Sequence, residues 1–417
     1  MPEPFSFTPT SAQGEELRRR VRDIRPALVE LAREYDRSGQ VARKSFDLLR
    51  DAGILGAAVP AELGGLDVRS PHDLAAGAFE LAQGCSSTAI ASWMHIGASF
   101  GFAGVWRALA ARGRRDSIAR IESMLKGVAE GTEVLCVAGT EPGVYPRTTL
   151  RSVATLDGDA WVVNGMKTFA TLSPLATTLN TFVKIVADGE PDRFASALIP
   201  RNTPGVEIPD DWDGMGMRGS GSGIVRLNNV RLPKESVTGG RPFGGEDPDN
   251  YFNGLVANAG LVNAALGIAQ AARDRAVADL KTRVKLPTAH PAAERVAIQI
   301  AVAEMDTELM AAKAMQQAHL LEVDHVFATL TPRTAALEDL RKFTAASRAS
   351  KTFAEKAAIS VVNQAMSLAG GGSYVAGSDF SRWYRDVRAL PFMAPAATEN
   401  MQFIGKVALG LEPTIDY

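Results

Sequence analysis

The sequence predicts a mainly α chain with a central β domain set between two helical segments. Three observations carry this. Apolar residues recur at helical spacing up to about residue 131, short β-rich runs fill residues 133–240, and long Ala-rich helical stretches follow. The expected division is 1–132 all-α, 133–240 β and 241–417 a helix bundle. Neither a repeated βαβ unit nor a Gly-x-Gly-x-x-Gly turn opens the chain, so a nucleotide cofactor would not be held in Rossmann fashion.

In the first segment, Leu17, Val21, Ile24, Leu28 and Leu31 mark one amphipathic helix beginning near Ala12. Arg43 to Ala52 is a second, stopped by Gly53, and more apolar helices run from Pro71 to Ala110. The period then changes. Strands are expected over 134–138, 149–156, 161–163, 181–187 and 194–199, then 224–227 and 230–232, with Asp157-Gly158-Asp159 as a hairpin turn. Gly239 to Asp249 reads as a connection, and helices are expected at 255–280, 292–323, 334–370 and 398–410. Four long helices make a bundle.

The 417 residues are 46% hydrophobic and 22% charged, enough apolar content for several cores. A formal charge of -2 and a pI near 6.3 disfavour nucleic acid or an anionic membrane as partner. No run reaches the roughly 18 uninterrupted apolar residues of a membrane span, and no secretory leader pattern opens the chain; a cytoplasmic protein is expected. Cys85 and Cys136 read as small core residues, and the five histidines show no metal-ligand spacing, so no metal is expected.

Several strings carry chemistry. Thr140-Glu141-Pro142-Gly143 precedes Asn164-Gly165-Met166-Lys167-Thr168-Phe169-Ala170-Thr171; Met215-Gly216-Met217-Arg218-Gly219-Ser220 leads to Val230-Arg231-Leu232-Pro233-Lys234-Glu235; Leu368-Ala369-Gly370-Gly371 and Arg385-Asp386 close the series. In order and spacing they resemble acyl-CoA dehydrogenases over nearly the whole chain. That resemblance implies an N-terminal α domain, a β-barrel and a C-terminal four-helix bundle, with FAD between barrel and bundle. It also implies a dimer or tetramer in which a neighbouring bundle completes the cofactor site. Thr140, Phe169, Thr171, Gly370 and Gly371 are then candidate cofactor contacts. A threonine hydroxyl can bond the flavin ring, an aromatic can pack on its face, and glycines admit close approach. Singly, each also suits a strand, a core or a helix end. Arg283 falls where the family sets an arginine on the cofactor pyrophosphate of a neighbouring subunit, although the string continues Val284-Lys285-Leu286-Pro287 and a solvated helix-end arginine fits equally. Val296 replaces a family glutamine, and Pro146-Arg147 replaces a Gly-Ser-Asp run, both weakening FAD contacts.

The same resemblance exposes a loss. Dehydrogenases of the family need a glutamate to remove the α-proton of the acyl thioester, a proton too weakly acidic for water to take. Counting from Arg385-Asp386, that glutamate falls on Ala394, within Met393-Ala394-Pro395; the alternative station on the first bundle helix is Ala257, followed by Asn258. The nearest carboxylates in sequence are Glu399 and Asp249, which also read as a helix first-turn charge and a loop charge. No catalytic residue is therefore assigned. His95 is a candidate proton donor or acceptor at the flavin edge, while its context Trp93-Met94-His95-Ile96 also suits a core histidine. Trp93, His95, Ser220, Met393 and Ala394 are candidate substrate-lining residues, with Ser222 beside them. Three readings fit: flavin-dependent oxidation of an acyl thioester, which the strings favour; a two-component monooxygenase or N-oxygenase, which needs no α-proton base; and a noncatalytic or base-less subunit of a mixed assembly. The cofactor is FAD, or FMN or reduced flavin supplied by a partner reductase. The other partners are a small-molecule substrate, as a CoA or carrier-protein thioester, and an electron-transfer protein.

Overall fold

The structure is a computed structural model and describes residues 5–143, 150–187, 189–243, 246–284 and 289–413. Pro146-Arg147 and Lys285–Pro287 lie outside them. Among the described residues, five α-helices come first: α1 (Ala12–Ser38), α2 (Arg43–Asp51), α3 (Pro71–Gly84), α4 (Ser86–Ala110) and α5 (Arg115–Glu130). Helix α1 begins at a Ser11 side chain that accepts the Gly14 N–H and ends at Gly39 in the left-handed region.

Eight strands follow: β1 (Leu135–Ala138), β2 (Val153–Asp157), β3 (Ala160–Lys167), β4 (Thr178–Ile185), β5 (Arg193–Pro200), β6 (Val206–Glu207), β7 (Val225–Pro233) and β8 (Val237–Pro242). Gly158, at φ 63°, makes the two-residue turn between β2 and β3. The order is β6-β7-β3-β2-β4-β5-β8, with β1 paired to the first half of β4. The sheet is open, with β6 and β8 at its ends, where the resemblance predicts a closed barrel. Two further readings change. The runs at 224–227 and 230–232 are one strand, β7, interrupted by Asn229 at φ 52° and a bulge against Val163 and Gly165. Gly239–Pro242, read as a connection, belongs to edge strand β8, where edge pairing tolerates glycine and proline.

Helices resume with α6 (Pro248–Ala257), α7 (Ala259–Thr282), α8 (Val296–Thr329), α9 (Leu337–Ala369), α10 (Asp379–Val387) and α11 (Ala397–Ala408). The single helix expected at 255–280 is thus two, broken at Asn258. Leu17, Val21 and Leu28 of α1 share one hydrophobic core with Leu266 of α7 and Val361 of α9, so the two helical segments fuse. The sheet has its own core around Leu179, Val183, Ile199 and Leu227, and Cys85 and Cys136 are both buried. Pro248–Thr282 is long and apolar enough to cross a membrane, but its most apolar 18-residue stretch is 78% buried inside the fold.

Candidate functional site

A cavity of about 2310 Å³ lies between the sheet and the helices. That exceeds the roughly 300–1,000 Å³ typical for one drug-sized ligand, leaving room for a cofactor and a substrate together.

The sheet-side wall starts at the end of β3. Thr168 N–H donates to the Thr140 carbonyl at 2.9 Å, which sets the Thr140 string against the Phe169 string. Phe169 then takes φ 51°, a conformation costly for a residue with a Cβ, and the residue, 59% exposed, lines the cavity with Trp212 edge-on at 6.3 Å between centroids. Leu172 and Met217, in the same pair of loops, also have positive φ. The loops hold each other: Ala170 N–H donates to the Gly223 carbonyl at 3.0 Å and Leu172 N–H to the Ser220 carbonyl at 3.1 Å. Hydroxyls run through them from Ser220 to Ser222 at 2.6 Å and on to Thr171 at 2.9 Å. Thr171 and Ser222 line the cavity, whereas Ser220, predicted to do so, is buried one step behind. An exposed aromatic face beside a hydroxyl chain is chemically suited to a planar heteroaromatic ring such as a flavin.

Behind this wall lies a pair that the sequence reading did not single out. Lys167 Nζ reaches Glu141 Oε1 at 2.6 Å and the Phe182 carbonyl at 2.6 Å, with both side chains almost completely buried. Glu141 also accepts the N–H groups of Arg151 and Ser152 at 2.6 and 3.1 Å. Burial alone would raise the Glu141 carboxyl, but the Lys167 and Ser152 hydrogen bonds outweigh it and hold the group below its usual value. Both residues stand inside the quoted strings; their charge complementarity was the available signal.

The helical wall is formed by Ile90, Trp93, Met94, Gly97 and Gly101, one face of α4, with residues at the α6–α7 break and the loop after α10. Trp93 Nε1 donates to the Ala257 carbonyl at 3.0 Å, and a Cβ on Gly260 would come within 2.0 Å of the indole, so that glycine admits the ring. Ala257, Asn258, Met393 and Ala394 all line the cavity. The two stations for a base therefore do face the site, and both are alanine.

His95 does not face it. Its ring is fully buried: Leu135 N–H donates to Nδ1 at 3.0 Å, leaving Nε2 as the protonated nitrogen that donates to the Leu55 carbonyl at 3.2 Å. Helical periodicity explains the correction, since Trp93, Met94 and Gly97 occupy the cavity face and position 95 turns inward. Burial lowers its pKa to about 4. Glu399 and Asp249 are also absent from the lining, and Glu399 accepts the Ala396 N–H at 2.7 Å at the start of α11. Three carboxylates do line the cavity, each engaged: Glu246 with Tyr251 and Arg341, Asp247 with the Asp249 N–H, and Asp324 with Ser70 and the His72 N–H. Among the described residues no group of three or more His, Cys, Asp and Glu could hold a metal.

Arg283, Gly370 and Gly371 come together, but outside the lining. Arg283 donates to the carbonyls of Ala369 and Leu368 at 2.6 and 2.7 Å, capping the carbonyl end of α9. The Arg385-Asp386 string closes on the Met215–Ser220 string: Asp386 accepts the Met217 N–H at 2.6 Å, and Arg385 pairs with Asp36 and donates to the Met215 carbonyl at 3.2 Å.

This architecture is that of a known enzyme class. Residues 11–103, 136–230 and 259–392 match the N-terminal, middle and C-terminal domains of acyl-CoA dehydrogenase. The chain belongs to the acyl-CoA dehydrogenase superfamily, a group of flavin-dependent oxidoreductases and oxygenases. It is 30% identical over 386 residues to the amino sugar nitrososynthase DnmZ of Streptomyces peucetius, covering 92% of this chain and 91% of that protein. Cyclohexane-1-carbonyl-CoA dehydrogenase of Syntrophus aciditrophicus is 28% identical over 384 residues, covering 91% and 92%. Among solved structures, KijD3 in complex with FMN and dTDP-3-amino-2,3,6-trideoxy-4-keto-3-methyl-D-glucose is similar with a TM-score of 0.88 and 30% identity, covering 98% of this chain and 97% of that one.

Proposed function

We propose that this chain is a flavin-dependent N-oxygenase that oxidises the amino group of an amino sugar. The observation carrying the reading is the pair Ala257 and Ala394: both face the cavity and neither can take a proton. Oxidation of an acyl thioester, which the family strings favour, needs a base there. An amine brings its own lone pair and does not. The likeness to amino sugar nitrososynthases points the same way, and so the second of the three readings moves ahead of the first.

When bound, reduced flavin supplies two electrons and activates O2, so that an amine, O2 and reduced flavin give a hydroxylamine, water and oxidised flavin. Phe169, with Trp212 edge-on beside it, would hold the flavin ring, and Thr171, backed by Ser222, would offer it a hydroxyl. Trp93, fixed to the Ala257 carbonyl, gives the helical wall a rigid apolar surface beside the substrate. FMN is favoured over FAD because Arg283 is already engaged at the end of α9 and an exposed Val296 replaces the family glutamine. A flavin reductase is the implied partner. Exposed apolar residues on the bundle's outer surface, including Val296, Ile300, Tyr374 and Val375, support self-association through it.

The test supplies purified protein with a flavin reductase, nicotinamide cofactor, O2 and a nucleotide-linked amino sugar. The expected product carries one additional oxygen on nitrogen, and light scattering gives a multiple of 44.3 kDa. Anaerobic bleaching of the flavin by acyl-CoA, with no oxygen transferred to amines, rejects the proposal.

A further inference from the structure

Among the described residues, one cation in the cavity lining makes no hydrogen bond or ion pair. It is the half-buried Arg388, just past the end of α10. The neighbouring arginines differ: Arg385 is committed to Asp36, and Arg69 and Arg107 share Asp67. A half-buried guanidinium left unpaired is costly unless an anion satisfies it, and its planar fork matches phosphate oxygens.

A second orphan group stands on α9. Thr344 lines the cavity, is buried, and its Oγ1 has no hydrogen-bond partner. Ser347 and Arg348, three and four residues on, line the cavity from the same helix face, with the Arg348 guanidinium 3.9 Å from the Phe403 ring centre. One further turn along α9, Lys351 Nζ donates to the Leu390 carbonyl at 3.3 Å. That bond ties the helix to the segment two residues beyond Arg388.

We infer that Arg388, with Thr344, Ser347 and Arg348 of α9, forms a diphosphate subsite that selects substrates carrying a diphosphate ester over free amines. The subsite is built by α9 and the segment after α10, the segment that leads to Met393 and Ala394, and the FMN affinity of each variant separates a substrate phosphate from that of the flavin. Its identity as a sugar-nucleotide subsite rests on the N-oxygenase reading. Its identity as a diphosphate subsite does not, because coenzyme A carries the same group.

The experiment titrates the FMN-loaded full chain with thymidine diphosphate, thymidine and coenzyme A, using wild type, Arg388→Gln, Arg388→Lys and Thr344→Val. FMN affinity is measured separately for each by fluorescence quenching. The expected result is that Arg388→Gln weakens thymidine diphosphate binding about tenfold or more, Arg388→Lys less, and Thr344→Val about threefold, while thymidine and FMN affinities change by less than about twofold. Tight coenzyme A binding that depends on Arg388, with none for thymidine diphosphate, keeps the subsite and overturns the N-oxygenase reading. Wild-type protein that binds neither diphosphate, diphosphate affinity unchanged in Arg388→Gln, or a loss confined to FMN overturns the subsite.

Discussion

On the sheet side of the cavity, Phe169, Thr171 and Ser222 are set by loops that hydrogen-bond to one another and rest on the buried Glu141–Lys167 pair. On the helical side, Ala257 and Ala394 line the cavity, as does Arg388, which among the described residues makes no hydrogen bond or ion pair. The first wall carries the family's strings with their supporting contacts; the second carries alanine at both positions where the resemblance sets a base. Under the proposed function the cofactor and the reaction use different walls, so the chemistry can change on one side without rebuilding the other.

The strongest way to break this contrast is to remove the support of the sheet wall. Lys167→Met leaves the Glu141 carboxylate buried without its cation, and breaking such a pair costs about 3–5 kcal/mol. Urea denaturation should show that loss, with most of it recovered in the double variant Glu141→Gln with Lys167→Met. A loss below about 1 kcal/mol would mean that the pair does not fix the wall.

His95 joins the two walls, because it connects α4 to β1 through Leu135 and to the Leu55 carbonyl. His95→Phe leaves the Leu135 N–H without an acceptor and should cost about 1–3 kcal/mol. The pH dependence gives a sharper readout. Folding lowers the His95 value from 6.5 to about 4, so on acidification the unfolded chain takes up the proton first. Its contribution is complete above about 6.5 and falls as pH drops towards 4, roughly 1 kcal/mol being lost by pH 5.5. The variant should lack that part of the acid sensitivity when the two stability–pH curves are compared.

Much of this was legible in the sequence because the informative residues are local. Gly158 sets a turn by its own backbone, the α1 periodicity depends only on spacing, and Ala394 is found by counting from Arg385-Asp386. What escaped depends on contacts between distant residues. Whether eight strands close or stay open is decided by the pairing of edges such as β6 and β8, which no short string encodes. Position 95 turning inward from a cavity-lining helix, and Arg283 closing the end of α9 eighty-odd residues away in the chain, are likewise tertiary outcomes. The strings that identify the superfamily also proved to be joints as much as chemistry: Asp386 holds the Met217 N–H, and Lys167 holds Glu141.

Restoring a carboxylate tests the second wall directly. Ala394→Glu returns the group that dehydrogenases use, yet acyl-CoA should still fail to bleach the flavin anaerobically. A base alone does not activate the α-proton, which also needs hydrogen bonds to the thioester carbonyl. Amine oxidation should fall by about tenfold, or about 1.4 kcal/mol in the barrier, as the added charge crowds the amine. Rapid acyl-CoA oxidation would show instead that the base was the only difference between this wall and that of a dehydrogenase.

The smallest effect tests whether the sheet wall acts as a unit. If the Thr171 hydroxyl donates to the flavin, its oxygen is free to accept from Ser222, which accepts in turn from Ser220, and each link polarises the next. Thr171→Val keeps the shape and removes the donor, so flavin affinity should fall about tenfold; Ser222→Ala leaves the donor but unsupported and should cost about threefold. Both changes act on the same bond, and the double variant should therefore be no weaker than Thr171→Val alone. Flavin fluorescence titration of the three proteins decides it. Additive losses would mean that Ser222 reaches the cofactor independently, which its place in the cavity lining also allows.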